Sequence, residues 1–153
     1  MLTPGSPAPD FQVHDADGSP VRLASFRGRP VVLFFFPRAD TPGCTREACA
    51  FRDLAAKFAE AGVAVVGVSA DKPSAQKRFA DKYGLAMPLL CDPDKAMLTA
   101  WGVYRMKKLY GKESLGIVRS TVWCDANGIV RHVWNSVKVD GHAEAVLAKV
   151  TAG

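Results

Sequence analysis

The stretch Val31-Val32-Leu33-Phe34-Phe35-Phe36-Pro37-Arg38-Ala39-Asp40-Thr41-Pro42-Gly43-Cys44 passes from an unbroken apolar run into a proline-bounded loop and ends on a thiol. Apolar residues in unbroken succession, closed by proline, read as a strand buried on both faces. The loop then opens a helix, with Thr41 at the N-cap, Pro42 in the first helical position and Cys44 in the first turn. A thiol placed there meets unpaired backbone N–H groups and the positive end of the helix dipole, and both favour the thiolate. A second cysteine, Cys49, follows five residues later. The pattern points to redox chemistry.

On either side of this stretch, strands alternate with helices. Phe11, Val13, Val21 and Leu23 flank Asp17-Gly18, which predicts an N-terminal β-hairpin. The spacing of Phe51, Leu54, Ala55 and Phe58 predicts a single helix over 42–61, ended by Gly62. Residues 63–69 form a second buried strand. Asp71 and Pro73 open a helix that runs to Tyr83-Gly84. A short strand over 87–91 and a short helix over 94–101 follow. Residues 103–118, rich in Lys and Gly, are expected to form a loop. Strands over 121–124 and 129–134 are joined by Asp125-Ala126-Asn127-Gly128, and a final helix covers 141–150. Alternation early and a hairpin late favour an α/β sandwich around a mixed sheet.

The chain has 153 residues, 48% apolar and 23% charged, which suits one domain spanning 1–153 with a full core. Repeats, linkers and low-complexity segments are absent from the sequence. Residues 1–10 carry neither a basic nor an apolar leader segment, so a secretory signal is not expected. No apolar run approaches the length of a membrane span. Four cysteines are too few for a disulfide scaffold, and a reducing cytoplasm is the expected setting. The net charge of +5 is modest. Its notable cluster, Arg105, Lys107, Lys108 and Lys112, lacks interleaved aromatics and any nucleic-acid motif. A solvated basic face explains it; a local field that helps hold a nearby thiolate ionised is the sharper alternative. His14, His132 and His142 fit no metal spacing, so neither a metal nor another cofactor is expected.

A low pKa alone does not make a fast thiol enzyme. A free cysteine with pKa ~8.5 is about 3% thiolate at pH 7, so full ionisation gains at most roughly 30-fold. Lowering the pKa by about two units also dulls the nucleophile and returns about tenfold of that gain. Other groups must stabilise the charge that moves onto the substrate.

The residues that would do so match a family. Pro37, Thr41 and Cys44, as Pro-x-x-x-Thr-x-x-Cys, resemble the active-site signature of the peroxiredoxins. Tyr110-Gly111-Lys112 through Gly116-Ile117, and Arg119-Ser120-Thr121, agree with it, as do Pro9-Asp10-Phe11 and Pro88-Leu89-Leu90-x-Asp92. The spacing of Cys44 and Cys49 resembles the peroxiredoxin Q, or bacterioferritin comigratory protein, subgroup. The resemblance covers nearly the whole chain. It implies a thioredoxin-like fold, with a central mixed β-sheet flanked by helices, and a thiol peroxidase acting on hydrogen peroxide and organic hydroperoxides. In that reading Cys44 attacks the peroxide and becomes a sulfenic acid. Thr41 holds the peroxide, Arg119 lowers the thiol pKa and bonds the oxygens, and Pro37 shields the site from water. Cys49 resolves the sulfenic acid to a disulfide, which thioredoxin or a similar dithiol reduces. The subgroup also implies a monomer.

Helix geometry sets a condition on that cycle. Residues five apart on an α-helix have Cα atoms ~8–9 Å apart and project about 140° from each other. A disulfide needs less than ~7 Å. Residues 43–51 are therefore expected to unwind in each cycle.

Simpler readings compete at each position. Cys44 reads alternatively as a small buried hydrophobe, and Cys49 as a cysteine packed in an alanine-rich helix. Cys91 and Cys124 sit on apolar strands and read as core. Arg119 reads alternatively as a structural ion-pair former. Glu47 reads most simply as a surface charge compatible with the helix dipole, with a structural contact beneath the loop as its other reading. Trp101, Trp123 and Trp134 read as core or groove-lining residues. Among rival functions, a protein disulfide oxidoreductase is expected to carry Cys-x-x-Cys, which the sequence lacks. A peroxide sensor or redox-switched holdase needs one oxidation event rather than many, and leaves Thr41 and Arg119 without a task.

Overall fold

In the computed structural model, which describes residues 2–152, the chain opens with strands β1 (Gln12–Asp15), β2 (Pro20–Arg22) and β3 (Val31–Phe35). Helices α1 (Pro42–Asp53) and α2 (Ala55–Glu60) lead to β4 (Ala64–Ser69), α3 (Pro73–Tyr83), β5 (Leu89–Cys91) and α4 (Ala96–Ala100). Strands β6 (Tyr104–Leu109), β7 (Lys112–Ile117), β8 (Ser120–Cys124) and β9 (Val130–Trp134) precede helix α5 (His142–Ala152). Met1 and Gly153 lie outside the described residues.

A seven-stranded mixed sheet has the order β2-β1-β5-β4-β3-β8-β9. Strand β3 lies between β4, parallel to it, and β8, antiparallel to it. That central place explains the apolar run. With side chains alternating across the sheet, Val31, Leu33 and Phe35 join a core with Leu98 and Trp101 on one face. Val32, Phe34 and Phe36 join Phe51, Phe58 and Phe79 on the other. Burying a side chain of this size stabilises by ~1.5–3 kcal/mol, so β3 anchors both layers. Gly67 in β4 keeps the second face closed: a Cβ there would lie 2.8 Å from Leu89 Cδ2 and 2.9 Å from Phe34 Cζ.

Two expectations need correction. The helix predicted over 42–61 is two helices, because the chain tightens at Leu54, whose N–H donates to the Phe51 carbonyl at 3.2 Å. The turn lets Phe51 and Phe58 share one core, with ring centroids 5.8 Å apart. The segment 103–118 is not a loop. It is the β6–β7 hairpin, registered from Tyr104↔Ile117 to Leu109↔Lys112. Its tip is the pair Tyr110-Gly111, at φ 53° and 79°, the left-handed conformation that a two-residue hairpin turn requires.

Cys91 and Cys124 lie buried on β5 and β8, as the sequence suggested. Burial, with Asp15 and Asp71 near Cys91 and Asp125 near Cys124, pushes each thiol up to about 12. Both remain protonated packing residues.

Candidate active site

Beyond β3 the chain enters a loop held from outside. The Ala39 N–H donates to Asp71 Oδ2 at 2.8 Å, and Asp40 takes a left-handed φ of 59°. Aspartate tolerates that conformation better than most residues. Its carboxylate accepts from Tyr83 Oη at 2.8 Å and Lys82 Nζ at 3.0 Å, and these partners hold it below the usual carboxylate range. Across α1, Arg52 Nη1 donates to the Tyr83 carbonyl at 2.6 Å. One residue of α3 therefore grips the loop before the helix that carries Cys44 and the last turn of that helix.

Thr41 occupies the N-cap position in an extended conformation, with Pro42 at the start of the helix, as expected. Its hydroxyl does not cap the helix. It donates instead to the Arg38 carbonyl at 2.8 Å, which leaves the oxygen lone pairs of Oγ1 as acceptors. Cys44 is the third residue of α1 and is 1% exposed.

Arg119 arrives from the link between β7 and β8, its backbone carbonyl accepting from Val137 N at 2.8 Å. Its guanidinium spans two partners. Nη2 lies 3.3 Å from Cys44 Sγ, and Nη1 donates to Glu47 Oε1 at 2.7 Å. Gly43 leaves room for this approach, since a Cβ there would sit 3.2 Å from Nη2. Arg119 is 17% exposed at its side chain and Glu47 only 1%. Glu47 is thus a buried partner of Arg119 and not a surface charge. The helical stripe contained the signal: Cys44, Glu47, Ala48 and Phe51 are the buried residues of α1, at i, i+3, i+4 and i+7.

Burial pushes the Glu47 carboxyl up to about 7 against the attraction of Arg119, and its Oε2 has no hydrogen-bond partner among the described residues. The folded chain then keeps a proton that the unfolded chain has released above about pH 4.5, so stability falls as pH rises from there to about 7. His142 acts oppositely. Burial and the charge of Arg119 push it down from 6.5 to about 4, and stability rises with pH across that interval. Thermal melts of wild type and Glu47→Gln between pH 4.5 and 7.5 isolate the first effect. Relative to the variant, wild type is expected to lose stability as pH rises across this range, and a pH-independent difference would rule out a raised carboxyl at 47.

His142 is buried within electrostatic reach of Arg119. Its Nε2 is 2.7 Å from Thr121 Oγ1, and its ring meets Phe51 and Trp134 edge-on at 6.1 and 6.0 Å. Cys49 is half-buried, five residues beyond Cys44 on the same continuous helix, and both thiols are free. Pro37 is half-buried and shares with Arg119 the lining of a cavity of about 530 Å³. Among the described residues, no group of three His, Cys, Asp or Glu side chains is placed to hold a metal ion.

Chemically, the arrangement supplies a positive fork bonded to a sulfur in the first turn of a helix whose N-cap is Thr41. The AhpC/TSA family pattern matches residues 4–133. The chain belongs to the AhpC/TSA family of peroxiredoxins. A Mycobacterium tuberculosis relative, provisionally named a peroxiredoxin, is 50% identical over 141 residues, covering 92% of this chain and 90% of that one. Two Xanthomonas campestris structures, one of peroxiredoxin Q and one of bacterioferritin comigratory protein, superpose with a TM-score of 0.89 at 39% identity. Each alignment covers 93% of this peroxiredoxin and 90% of the other chain. The second structure concerns alkyl peroxide reduction by that protein, seen in trapped intermediate and ligand complexes. The thioredoxin-like fold implied by the sequence is the fold of these neighbours.

Proposed function

We propose that this peroxiredoxin is a thiol peroxidase in which Cys44 reduces hydrogen peroxide and organic hydroperoxides. The observation that carries the reading is the Arg119 fork, bonded at once to Cys44 Sγ and to Glu47. A guanidinium at 3.3 Å stabilises negative charge on the sulfur. The thiolate attacks one peroxide oxygen; the S–O bond forms as the O–O bond breaks. Water or an alcohol leaves after taking up a proton, and Cys44 becomes a sulfenic acid. During the transfer Arg119 and the α1 N–H groups face the developing oxyanion, Thr41 Oγ1 accepts from the peroxide O–H, and Pro37 excludes water.

Cys49 then attacks the sulfenic sulfur, the S–S bond forms and water leaves. The two thiols start from different faces of α1, so its first turns open for this step. Thioredoxin or a similar dithiol takes the disulfide through exchange and emerges oxidised. The protein works as a monomer of one domain in the cytoplasm.

Disulfide mapping tests the assignment. Reduced protein receives one equivalent of hydrogen peroxide, free thiols are alkylated, and trypsin cuts after Arg46, between the two cysteines. The expected result is a joined pair of peptides carrying Cys44 and Cys49, with Cys91 and Cys124 alkylated. Oxidised Cys44 with free Cys49 would move the resolving role to another thiol. Reduced Cys44 would end the peroxidase reading. Repeated turnover with excess peroxide and a dithiol separates an enzyme from a sensor that is oxidised once.

A further inference from the structure

The cavity beside Arg119 is larger than hydrogen peroxide requires. Its volume is about 530 Å³, within the ~300–1,000 Å³ typical of sites for organic ligands. Pro37, Ile117, Val118 and Val137 give it apolar wall, while Arg105, Lys107 and Lys108 line it together with Arg119. No acidic side chain lines it among the described residues. Four cations and no anion around one open groove, its wall part polar and part apolar, is a biased composition for a surface that serves only solubility.

Lys107 is also placed there by its neighbours. A Cβ at Gly116 would fall 2.5 Å from Lys107 Cε and 3.1 Å from Nζ, so the missing side chain is the space in which the lysine lies. Gly116 is not among the residues with positive φ, and backbone conformation therefore gives no reason for glycine. The ammonium donates to the Ile117 carbonyl at 3.1 Å, two residues before Arg119. An ammonium carries three N–H donors, and that bond uses one. Arg105 is steadied by a hydrogen bond from Nη2 to Asn135 Oδ1.

We infer that this cavity is a substrate subsite for the anionic group of an organic hydroperoxide. The peroxide end lies at Cys44 and Arg119, the carbon skeleton rests on Ile117, Val118 and Val137, and the anion meets Lys107 with Arg105 and Lys108. Hydrogen peroxide bypasses the subsite. The inference rests on the peroxidase reading and deepens it, because it assigns the basic hairpin a role in substrate choice.

The test compares kcat/KM for hydrogen peroxide, cumene hydroperoxide and para-carboxylated cumene hydroperoxide, with dithiothreitol as reductant so that no protein partner intervenes. Wild type is expected to prefer the carboxylated compound over its neutral parent by about tenfold, equivalent to about 1.4 kcal/mol. The preference should shrink between about 50 and about 500 mM salt as screening shortens the field. Lys107→Gln/Lys108→Gln should bring it near one while hydrogen peroxide turnover stays within about twofold of wild type. Gly116→Ala, which displaces Lys107 without removing it, should also weaken the preference. Equal rates for the two cumyl peroxides in wild type, or a preference that survives the double substitution, would overturn the subsite with peroxidase activity intact. No turnover of hydrogen peroxide in wild type would instead overturn the peroxidase reading.

Discussion

Replacing Arg119 with lysine is expected to lower kcat/KM for hydrogen peroxide by about a hundredfold, the scale of losing one preorganised donor at a developing oxyanion. The charge is kept, so simple attraction for a thiolate is not what changes. What disappears is the fork. Nη1 and Nη2 reach Glu47 Oε1 at 2.7 Å and Cys44 Sγ at 3.3 Å from one rigid plane. An ammonium is a compact point charge and cannot reproduce that geometry. It should settle on the buried carboxylate and leave the sulfur. Arg119→Ala is less informative, because it removes the charge, the fork and the packing of the side chain together. Stopped-flow oxidation of the lysine variant by hydrogen peroxide gives the rate directly. A value within about twofold of wild type would remove Arg119 from the transition state, given the larger loss expected for such a donor.

Phe51→Ala is expected to destabilise the reduced protein by ~3–5 kcal/mol, and the disulfide form by much less. Phe51 is 1% exposed, stacks on Phe34 at 4.6 Å and 15°, and meets the edge of His142. It is the last buried anchor of α1, after Cys44, Glu47 and Ala48. If α1 opens to let Cys44 and Cys49 join, the oxidised protein has already given up much of this packing. Its loss then costs little more. Denaturant unfolding of both forms, with hydrogen exchange across 43–51, measures the difference. An equal loss in both forms, with equally slow exchange, would mean that α1 stays wound and that the resolving step takes another route.

The parts of the fold legible in the sequence are those where one pattern had one structural solution. Residues 31–36 could only be a strand covered on both sides, and the chain uses their alternation to build two cores. Pro73 and Gly84 bracket α3, with Gly84 left-handed at φ 62°. The break at Leu54 was invisible because Phe51 and Phe58 keep helical spacing whether α1 is continuous or bent. The β6–β7 hairpin was hidden by composition: Lys107, Lys108 and Lys112 read as loop, and the turn places Tyr110 rather than asparagine or aspartate beside Gly111. At the site, the loop and the helix start around Cys44 followed from Thr41, Pro42 and Gly43. The nearness of Arg119 to Cys44 depends on long-range packing, and local pattern carries no trace of it. For Glu47 the sequence favours the surface reading over a structural contact beneath the loop. Its charge suggested solvent, while its position on the Cys44–Ala48–Phe51 stripe placed it inside.

Tyr83 has a consequence for the chemistry of α1. Its hydroxyl holds Asp40 and its carbonyl holds Arg52, so residues 41–51 form a short tether whose two ends are held by one residue. If Cys44 and Cys49 join by the proposed opening of α1, the two sulfurs cannot drift away from each other. They meet at the effective concentration of a short linker, on the order of millimolar or above, however dilute the protein is. Disulfide closure then proceeds at a rate per molecule that dilution does not change. On the same proposal, these moorings would give the helix a frame on which to rewind after reduction, within about a microsecond.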